Sequence, residues 1–167
     1  KGQAHFYRAF AYYNLLRNFG KFYPEENPNA EGVPIITIGY SALYRASVSE
    51  VSDFIIKDID SAYNLLPEPD GSGKISKYAA LAVAAKTHMW VQEYDEAEVI
   101  LNQIIQSNKF ALMDNFGDNF NGLNENGPES IYELQFYEDG YSYYNGPGYI
   151  PISNYSNVIS YSTRRYS

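Results

Sequence analysis

Residues 77–106 read KYAALAVAAKTHMWVQEYDEAEVILNQIIQ, and this stretch decides the fold. Its first half is rich in alanine, which has the highest helix propensity and lets a neighbouring helix approach closely. Its second half repeats apolar residues at helical spacing. A helix capped by Ser76 is predicted to run to about Val91, and a second helix from about Asp95 to Ser107. The stretch therefore predicts two consecutive helices.

The spacing of small residues further predicts that these helices form a hairpin of the tetratricopeptide type. In that motif, a small residue in the first helix packs against a small residue twelve positions later, and Ala85 and Ala97 have this spacing. Asn108 is suited to the left-handed conformation just after the second helix. Such hairpins need stacked neighbours to bury their apolar faces. The apolar face of the second helix is predicted to comprise Ala97, Ile100, Leu101, Ile104 and Ile105.

Two upstream helices are the expected neighbours. The first is predicted over Gln3 to Phe19, with Gly20 as a suitable residue after its end. The second begins at a capping box formed by Ser47 and Glu50 and stops before the following prolines. Its predicted buried face comprises Val51, Phe54, Ile55, Ile59, Ala62 and Leu66, and the acids predicted to lie off that face, in solvent, are Asp53, Asp58 and Asp60.

The chain changes character after the second hairpin helix. No Lys or Arg occurs between Phe110 and Thr163. Residues 129–136 alternate apolar and polar side chains and predict a short half-buried strand, followed by a long irregular loop rich in Gly, Asn, Ser and Tyr. The fold class is therefore predicted as mainly α. Residues 1–113 are predicted to form a helical scaffold, and residues 114–167 an irregular loop and strand region.

Composition excludes several classes of function. The net charge of −8 disfavours nucleic acid and anionic membrane surfaces, because both attract basic proteins. There is no cysteine, so thiol nucleophiles and cysteine metal sites are absent. His5 and His88 have no sequence partner at metal-ligand spacing, and the many carboxylates lie in no recognisable catalytic motif. The sequence therefore predicts no catalytic, metal or cofactor-binding residue.

The first residues favour an internal piece of a longer protein. The chain opens on Lys1, Gly2 and Gln3 without an initiator Met or a capping residue before the first helical pattern. We therefore expect further sequence upstream in the parent protein.

Several segments, in a fixed order, carry a family resemblance. The chain is similar along these segments to the SusD/RagB family of nutrient-binding lipoproteins. The matching segments are FYRAFAYYNLLRNFG at residues 6–20, GVPI at 32–35, the block at 45–67 that starts with an Arg and ends in Leu-Leu-Pro, GKISKYAA at 73–80, the hairpin's second helix and exit at 94–112, and Asn-Glu-Asn with Glu-Ser-Ile-Tyr-Glu at 124–133.

This resemblance implies a SusD-like α-α superhelix of tetratricopeptide-like hairpins and a binding protein rather than an enzyme. It implies a location on the extracellular face of the outer membrane of a Bacteroidetes-type bacterium. It also implies a SusC-like TonB-dependent transporter as partner and a glycan, or sometimes a peptide, as ligand. The family's lipidated Cys would lie upstream, so membrane contact is expected only through a lipid anchor that is not present in this chain.

The tyrosine-rich end of the chain is the predicted ligand site. In the family, ligand contacts come from loops outside the helical repeats, and some of these loops follow the strand that residues 129–136 resemble. Tyrosine rings offer flat faces for sugars, and an amide offers both a donor and an acceptor. An alternative is that these rings pack on the C-terminal region expected in the parent protein. The predicted ligand-binding residues are Tyr141, Tyr143, Tyr144, Asn145, Tyr149 and Tyr155.

Three functional hypotheses follow in order. The first is the nutrient-binding component, with a glycan as ligand, of a SusCD-type outer-membrane uptake system. The alternative is a tetratricopeptide-type module that binds a protein or peptide. A glycan-degrading enzyme comes last, because no carboxylate pair has a catalytic sequence context.

Overall fold

A computed structural model of the chain describes residues 1–21, 27, 29–37, 44–71, 74–120 and 124–133. These residues belong to two compact units. One unit comprises residues 1–68 and 75–108. The other takes in residues 69–74 and the chain from residue 109 onward.

The first unit is built from four packed α-helices: α1 (Gly2–Phe19), α2 (Val48–Leu65), α3 (Lys77–Trp90) and α4 (Tyr94–Gln106). α2 packs against both α1 and α3, and α4 packs on α3. The predicted mainly α class and the four predicted helices are confirmed. The largest fully buried apolar side chains of this unit are Phe6, Leu16, Ile55, Ile59, Val48 and Val51.

α1 ends where the sequence predicts, with Gly20 directly after it. The Gly20 backbone is extended, with φ −72° and ψ 152°, rather than left-handed. Its N–H donates to the carbonyl of Leu16 at 2.8 Å. A Cβ at Gly20 would lie 2.5 Å from that carbonyl oxygen. Glycine is therefore needed here for close backbone approach rather than for a positive φ.

The connection between α1 and α2 is fixed by backbone pairing. The N–H of Gly32 donates to the carbonyl of Ala46 at 2.8 Å, and a Cβ on Gly32 would meet that same oxygen at 2.9 Å. The Arg45 guanidinium donates to the carbonyls of Gly32 and Phe19. These bonds tie the end of α1 to the entry of α2.

The start of α2 is the predicted capping box. The Ser47 hydroxyl accepts from the N–H of Glu50 at 3.2 Å, and the Glu50 carboxylate accepts from the N–H of Ser47 at 2.8 Å. Two N–H groups that the helix cannot satisfy itself are thus paired. The Glu50 hydrogen bonds also lower the pKa of its carboxyl.

Replacing Ser47 with alanine is expected to destabilise the chain by about 1 kcal/mol, because the N–H of Glu50 then loses its acceptor. Ser49→Ala is a matched control, since Ser49 lies in the same helical turn but outside the capping box. Denaturant titration of both variants measures the difference. Equal stability of the two variants would contradict this role of Ser47.

The predicted end of the α3–α4 hairpin is confirmed, whereas the predicted cap at its start is not. Asn108 has φ 52° and is the left-handed residue after α4, as predicted. Ser76 is the residue before α3, but its side chain makes no capping hydrogen bond. Ser76 is 1% exposed, and its hydroxyl has no partner within the described ranges. The predicted side-chain cap of α3 is therefore wrong, because this hydroxyl lies in the core rather than at the free N–H groups.

The predicted apolar face of α4 is only partly buried. Ala97 and Ile104 are buried, whereas Leu101 is 39% exposed and Ile105 is 69% exposed. The physical reason is the position of α4: among the described helices its backbone packs closely on α3, and α2 is reached by a hydrogen bond from Gln103 to Tyr63. The face that helical periodicity identifies is wider than the face that one neighbour can cover.

The predicted strand over residues 129–136 is not found in its described part. Residues 129–133 contain turns and a single bridge position, and residues 134–136 lie outside the described residues. The reason is local hydrogen bonding. The N–H of Ser130 donates to the carbonyl of Gly127 at 2.9 Å, and the Glu133 carboxylate accepts from the N–H of Asn126 at 2.9 Å. These bonds close a turn where a strand would need a paired neighbour.

Candidate functional site

The tyrosine-rich site predicted from sequence lies outside the described residues. All six of its members follow residue 133, the last residue that the structure describes. They are Tyr141, Tyr143, Tyr144, Asn145, Tyr149 and Tyr155. Their role as ligand-binding residues stays a prediction.

The Glu129 carboxylate makes hydrogen bonds that hold together the chain segment before this region. Glu129 accepts from the Asn119 side-chain amide at 2.8 Å and from the N–H of Met113 at 3.1 Å. These two hydrogen bonds hold the pKa of the Glu129 carboxyl below its ordinary value. The Glu129 side chain therefore links its own segment to Met113 and Asn119, and it serves as a hydrogen-bond acceptor that stabilises the second unit.

The same unit exposes two phenylalanine rings. Phe116 begins a short 3-10 helix (Phe116–Asn119) and Phe120 directly follows it, and their ring centroids lie 5.1 Å apart. They are 75% and 67% exposed. Asn115 accepts from the N–H of Gly117 at 3.1 Å and so caps the 3-10 turn. The turn fixes the positions of both rings.

A charged cluster around one buried carboxylate joins α1 to α2 in the first unit. Asp58 on α2 is 3% exposed, and its carboxylate accepts from the Arg8 guanidinium at 2.6 and 2.7 Å. The Nδ1 atom of His5 lies 2.8 Å from the same carboxylate. The Arg8 guanidinium also lies over the Phe54 ring, 5.1 Å from its centroid. The arrangement clamps the two helices together and leaves the carboxylate saturated with partners.

The electrostatics of Asp58 follow from these contacts. Burial acts to raise the pKa of its carboxyl, but the hydrogen bonds from Arg8 and His5 outweigh it and hold the pKa below the ordinary value. The partnership also raises the pKa of Arg8. Asp58 is thus an ionised structural anchor and not a general acid.

The predicted solvent position of Asp58 is therefore wrong. Asp58 lies seven residues after Val51 and three after Ile55, so it falls on the buried stripe of α2. The available signal was the pair His5 and Arg8, which lie three residues apart on one face of α1. An acid on an apolar stripe, opposite a helix with two basic residues, indicates a buried ion pair.

Lys86 on α3 is the group in this unit whose pKa is shifted chiefly by burial. Burial lowers the pKa of Lys86 to about 8 from its ordinary value of 10.5, and the positive charge of Arg17 adds to the shift. Between these two values the unfolded chain binds a proton that the folded chain does not.

Stability is therefore expected to gain from a rise in pH from about 8 to 10.5, and Lys86→Met is expected to remove this gain in denaturant titrations across that range. An unchanged pH slope in Lys86→Met would contradict the shift.

Metal binding finds no support in the described part of the chain. Within those ranges, no three His, Cys, Asp or Glu side chains come together as a possible metal site.

Among the helices within the described ranges, none combines the length and the apolar character needed to cross a membrane.

Comparisons with known proteins match this sequence to one family. The sequence profile of a SusD-like family, described as "Starch-binding associating with outer membrane", matches residues 1–89 of the 167. SusD-like protein P38 of Formosa agariphila is 32% identical over 157 residues, covering 83% of this chain and 29% of its own length. The chain thus spans less than a third of that relative.

Solved structures share the fold. A SusD superfamily protein from Bacteroides vulgatus superimposes with a TM-score of 0.67 at 26% identity, covering 83% of this chain and 33% of that protein. A SusD superfamily protein from Bacteroides thetaiotaomicron gives a TM-score of 0.71 at 24% identity, covering 82% of this chain and 31% of that protein. The second likeness concerns the fold alone.

Proposed function

The chain belongs to the SusD-like family, and we propose that its parent protein captures glycans for an outer-membrane uptake system without altering them chemically. The observation that carries the proposal is the match of residues 1–89 to a family described as starch-binding and associating with the outer membrane. The net charge of −8 is consistent with a neutral ligand and disfavours nucleic acid.

The four-helix unit acts in this proposal as the scaffold. The α3–α4 hairpin is one tetratricopeptide-like unit of a SusD-like superhelix, and α1 and α2 supply the neighbours that such a hairpin needs. In this proposal residues 1–113 form the scaffold and residues 114–167 form the start of the ligand-facing region. The parent protein sits on the extracellular face of the outer membrane through a lipid anchor and delivers its ligand to a SusC-like TonB-dependent transporter.

The tyrosine-rich region supplies the ligand contacts in this proposal. Aromatic faces bind the flat apolar surfaces of sugar rings, and an amide pairs with vicinal hydroxyls. The residues assigned to this role are Tyr141, Tyr143, Tyr144, Asn145, Tyr149 and Tyr155.

A binding screen of the full-length parent tests the class of ligand. The parent is immobilised and exposed to a panel of soluble glycans, including starch and laminarin fragments, and in parallel to a pool of peptides. Saturable glycan binding is expected, and the double variant Tyr143→Ala/Tyr144→Ala is expected to weaken it at least tenfold, since each stacked ring contributes about 1 kcal/mol. Tight capture of peptides without any glycan binding would overturn the proposal.

One observation favours the alternative, a tetratricopeptide-type module for a protein or peptide. α4 leaves Leu101 39% exposed and Ile105 69% exposed, one helical turn apart on the same face. Exposed apolar helix faces of this kind bind protein segments. The peptide arm of the screen addresses this alternative directly.

A further inference from the structure

An open cleft of about 500 Å³ lies on the four-helix unit beside α4. Its volume falls within the range of small-molecule sites, roughly 300 to 1,000 Å³. Its lining residues lie in α3, in α4 and at Ser107, the residue directly after α4. They are Tyr78, Val99, Asn102, Gln103, Gln106 and Ser107.

One face of α4 forms the larger wall of the cleft. Val99, Asn102, Gln103 and Gln106 follow the spacing i, i+3, i+4 and i+7, which places them on a single side of a helix. Three of the four carry amide side chains, and all three amides are exposed. The wall therefore presents several donors and acceptors next to one small apolar side chain.

One tyrosine lines the cleft, and a second contacts its wall. Tyr78 in the first turn of α3 lines the cleft opposite α4. Tyr63 of α2 receives a hydrogen bond from the Gln103 amide at 3.0 Å, across forty positions of sequence. This long-range bond fixes the orientation of the Gln103 side chain, so part of the wall is preorganised.

The chemistry of the cleft selects an uncharged hydroxylated ligand. Its six lining residues carry no charged group. Lys77, which precedes Tyr78 in α3, is paired with Glu68 at 2.8 Å and lies over the Tyr63 ring. Amides pair well with vicinal hydroxyls because each amide both donates and accepts. A tyrosine beside them offers an aromatic surface for the apolar side of a sugar ring.

We propose that this cleft is a carbohydrate contact site on the helical scaffold, separate in sequence from the tyrosine-rich region. The proposal rests on the proposed function, because it requires the parent protein to bind a glycan. It adds Asn102, Gln103 and Gln106 as hydrogen-bonding residues and Tyr78 as an aromatic wall.

Hydroxyl-radical footprinting of the full-length parent tests the site. The probes are maltoheptaose, a starch fragment, and laminariheptaose, with a neutral serine-rich peptide in parallel. Oxidation of Tyr78 is expected to fall as one of the sugars is added. In Asn102→Ala/Gln106→Ala, the sugar concentration for half-protection is expected to rise about 25-fold, about fivefold for each neutral hydrogen bond lost.

The control variants distinguish a failure of this cleft proposal from a failure of the proposed function. Gln3→Ala changes an exposed residue of α1 outside the cleft and is expected to leave the protection of Tyr78 unchanged. Because alanine favours helices, the cleft variant is expected to fold, and circular dichroism verifies this. Glycan binding that neither protects Tyr78 nor responds to the cleft variant overturns the cleft and leaves the proposed function standing. Protection by the peptide alone overturns the cleft as a sugar site, and absence of any sugar binding overturns both proposals.

Discussion

Replacing Asp58 with alanine is expected to lower the free energy of unfolding by about 2 to 3 kcal/mol. The variant removes a buried carboxylate that takes hydrogen bonds from Arg8 and contacts His5. Removing one partner of a buried ion pair costs about 3 to 5 kcal/mol when the other charge stays buried. The Arg8 side chain is 42% exposed and can regain water, so the expected loss lies below that range.

Denaturant titration of Asp58→Ala beside Asp60→Ala measures this effect. Asp60 is an exposed acid on the same helix, so its replacement controls for the loss of one negative charge. Asp60→Ala is expected to change stability by less than about 0.5 kcal/mol. Equal effects of the two substitutions would show that the cluster does not hold α1 to α2.

The Asp58 cluster also predicts a dependence on pH. The folded chain holds the pKa of Asp58 below its ordinary value of 3.8, so the carboxylate contributes its stability above that pH. The contribution is lost as the pH falls through the lower, folded value. The stability difference between the wild type and Asp58→Asn is therefore expected to be constant near neutral pH and to shrink in acid below about 3.8. A difference that grows in acid would contradict the assignment.

Replacing Ala85 with leucine is expected to destabilise the chain by about 1 to 3 kcal/mol. Ala85 on α3 is 1% exposed, and the facing helix α4 contributes Ala97, which is 2% exposed. Larger side chains at such positions force the helices apart or into strained rotamers. The small residues of α3 therefore set how closely its neighbours pack.

Ala11→Leu on α1 is the matched control for this substitution. Ala11 is exposed, so leucine there adds the same atoms without entering the core. Its effect is expected to stay within about 0.5 kcal/mol. A stable Ala85→Leu variant would indicate a cavity at the helix interface and would contradict close packing there.

Local signals in the sequence predicted the scaffold well. The capping box at Ser47 and Glu50 depends on residues three apart, and the left-handed Asn108 depends on one residue, so both can be identified without the fold. Asp58 could not be placed in this way, because its burial depends on basic residues fifty positions upstream on another helix. The face of α4 was overestimated for a similar reason, since periodicity does not tell how many neighbours a helix has.

The tyrosine-rich ligand site stays a prediction, because none of its residues is described by the structure. Tyr141, Tyr143 and the other tyrosine-rich positions were chosen for their chemistry and their place after a family segment, and they lie outside the described residues. The cleft beside α4 was missed because its amides look like ordinary helix surface in sequence. Only the packing of α4 on α3 brings Tyr78 next to Gln103 and Gln106.

The most direct measurement is the recovery of glycan after binding to the full-length parent. The parent is titrated calorimetrically with starch and laminarin fragments, and the bound sugar is then released and sized by mass spectrometry. We predict saturable binding and recovery of the oligosaccharide at its original length, as expected of a capture protein. Shortened products, or the absence of saturable binding to any glycan, would contradict glycan capture.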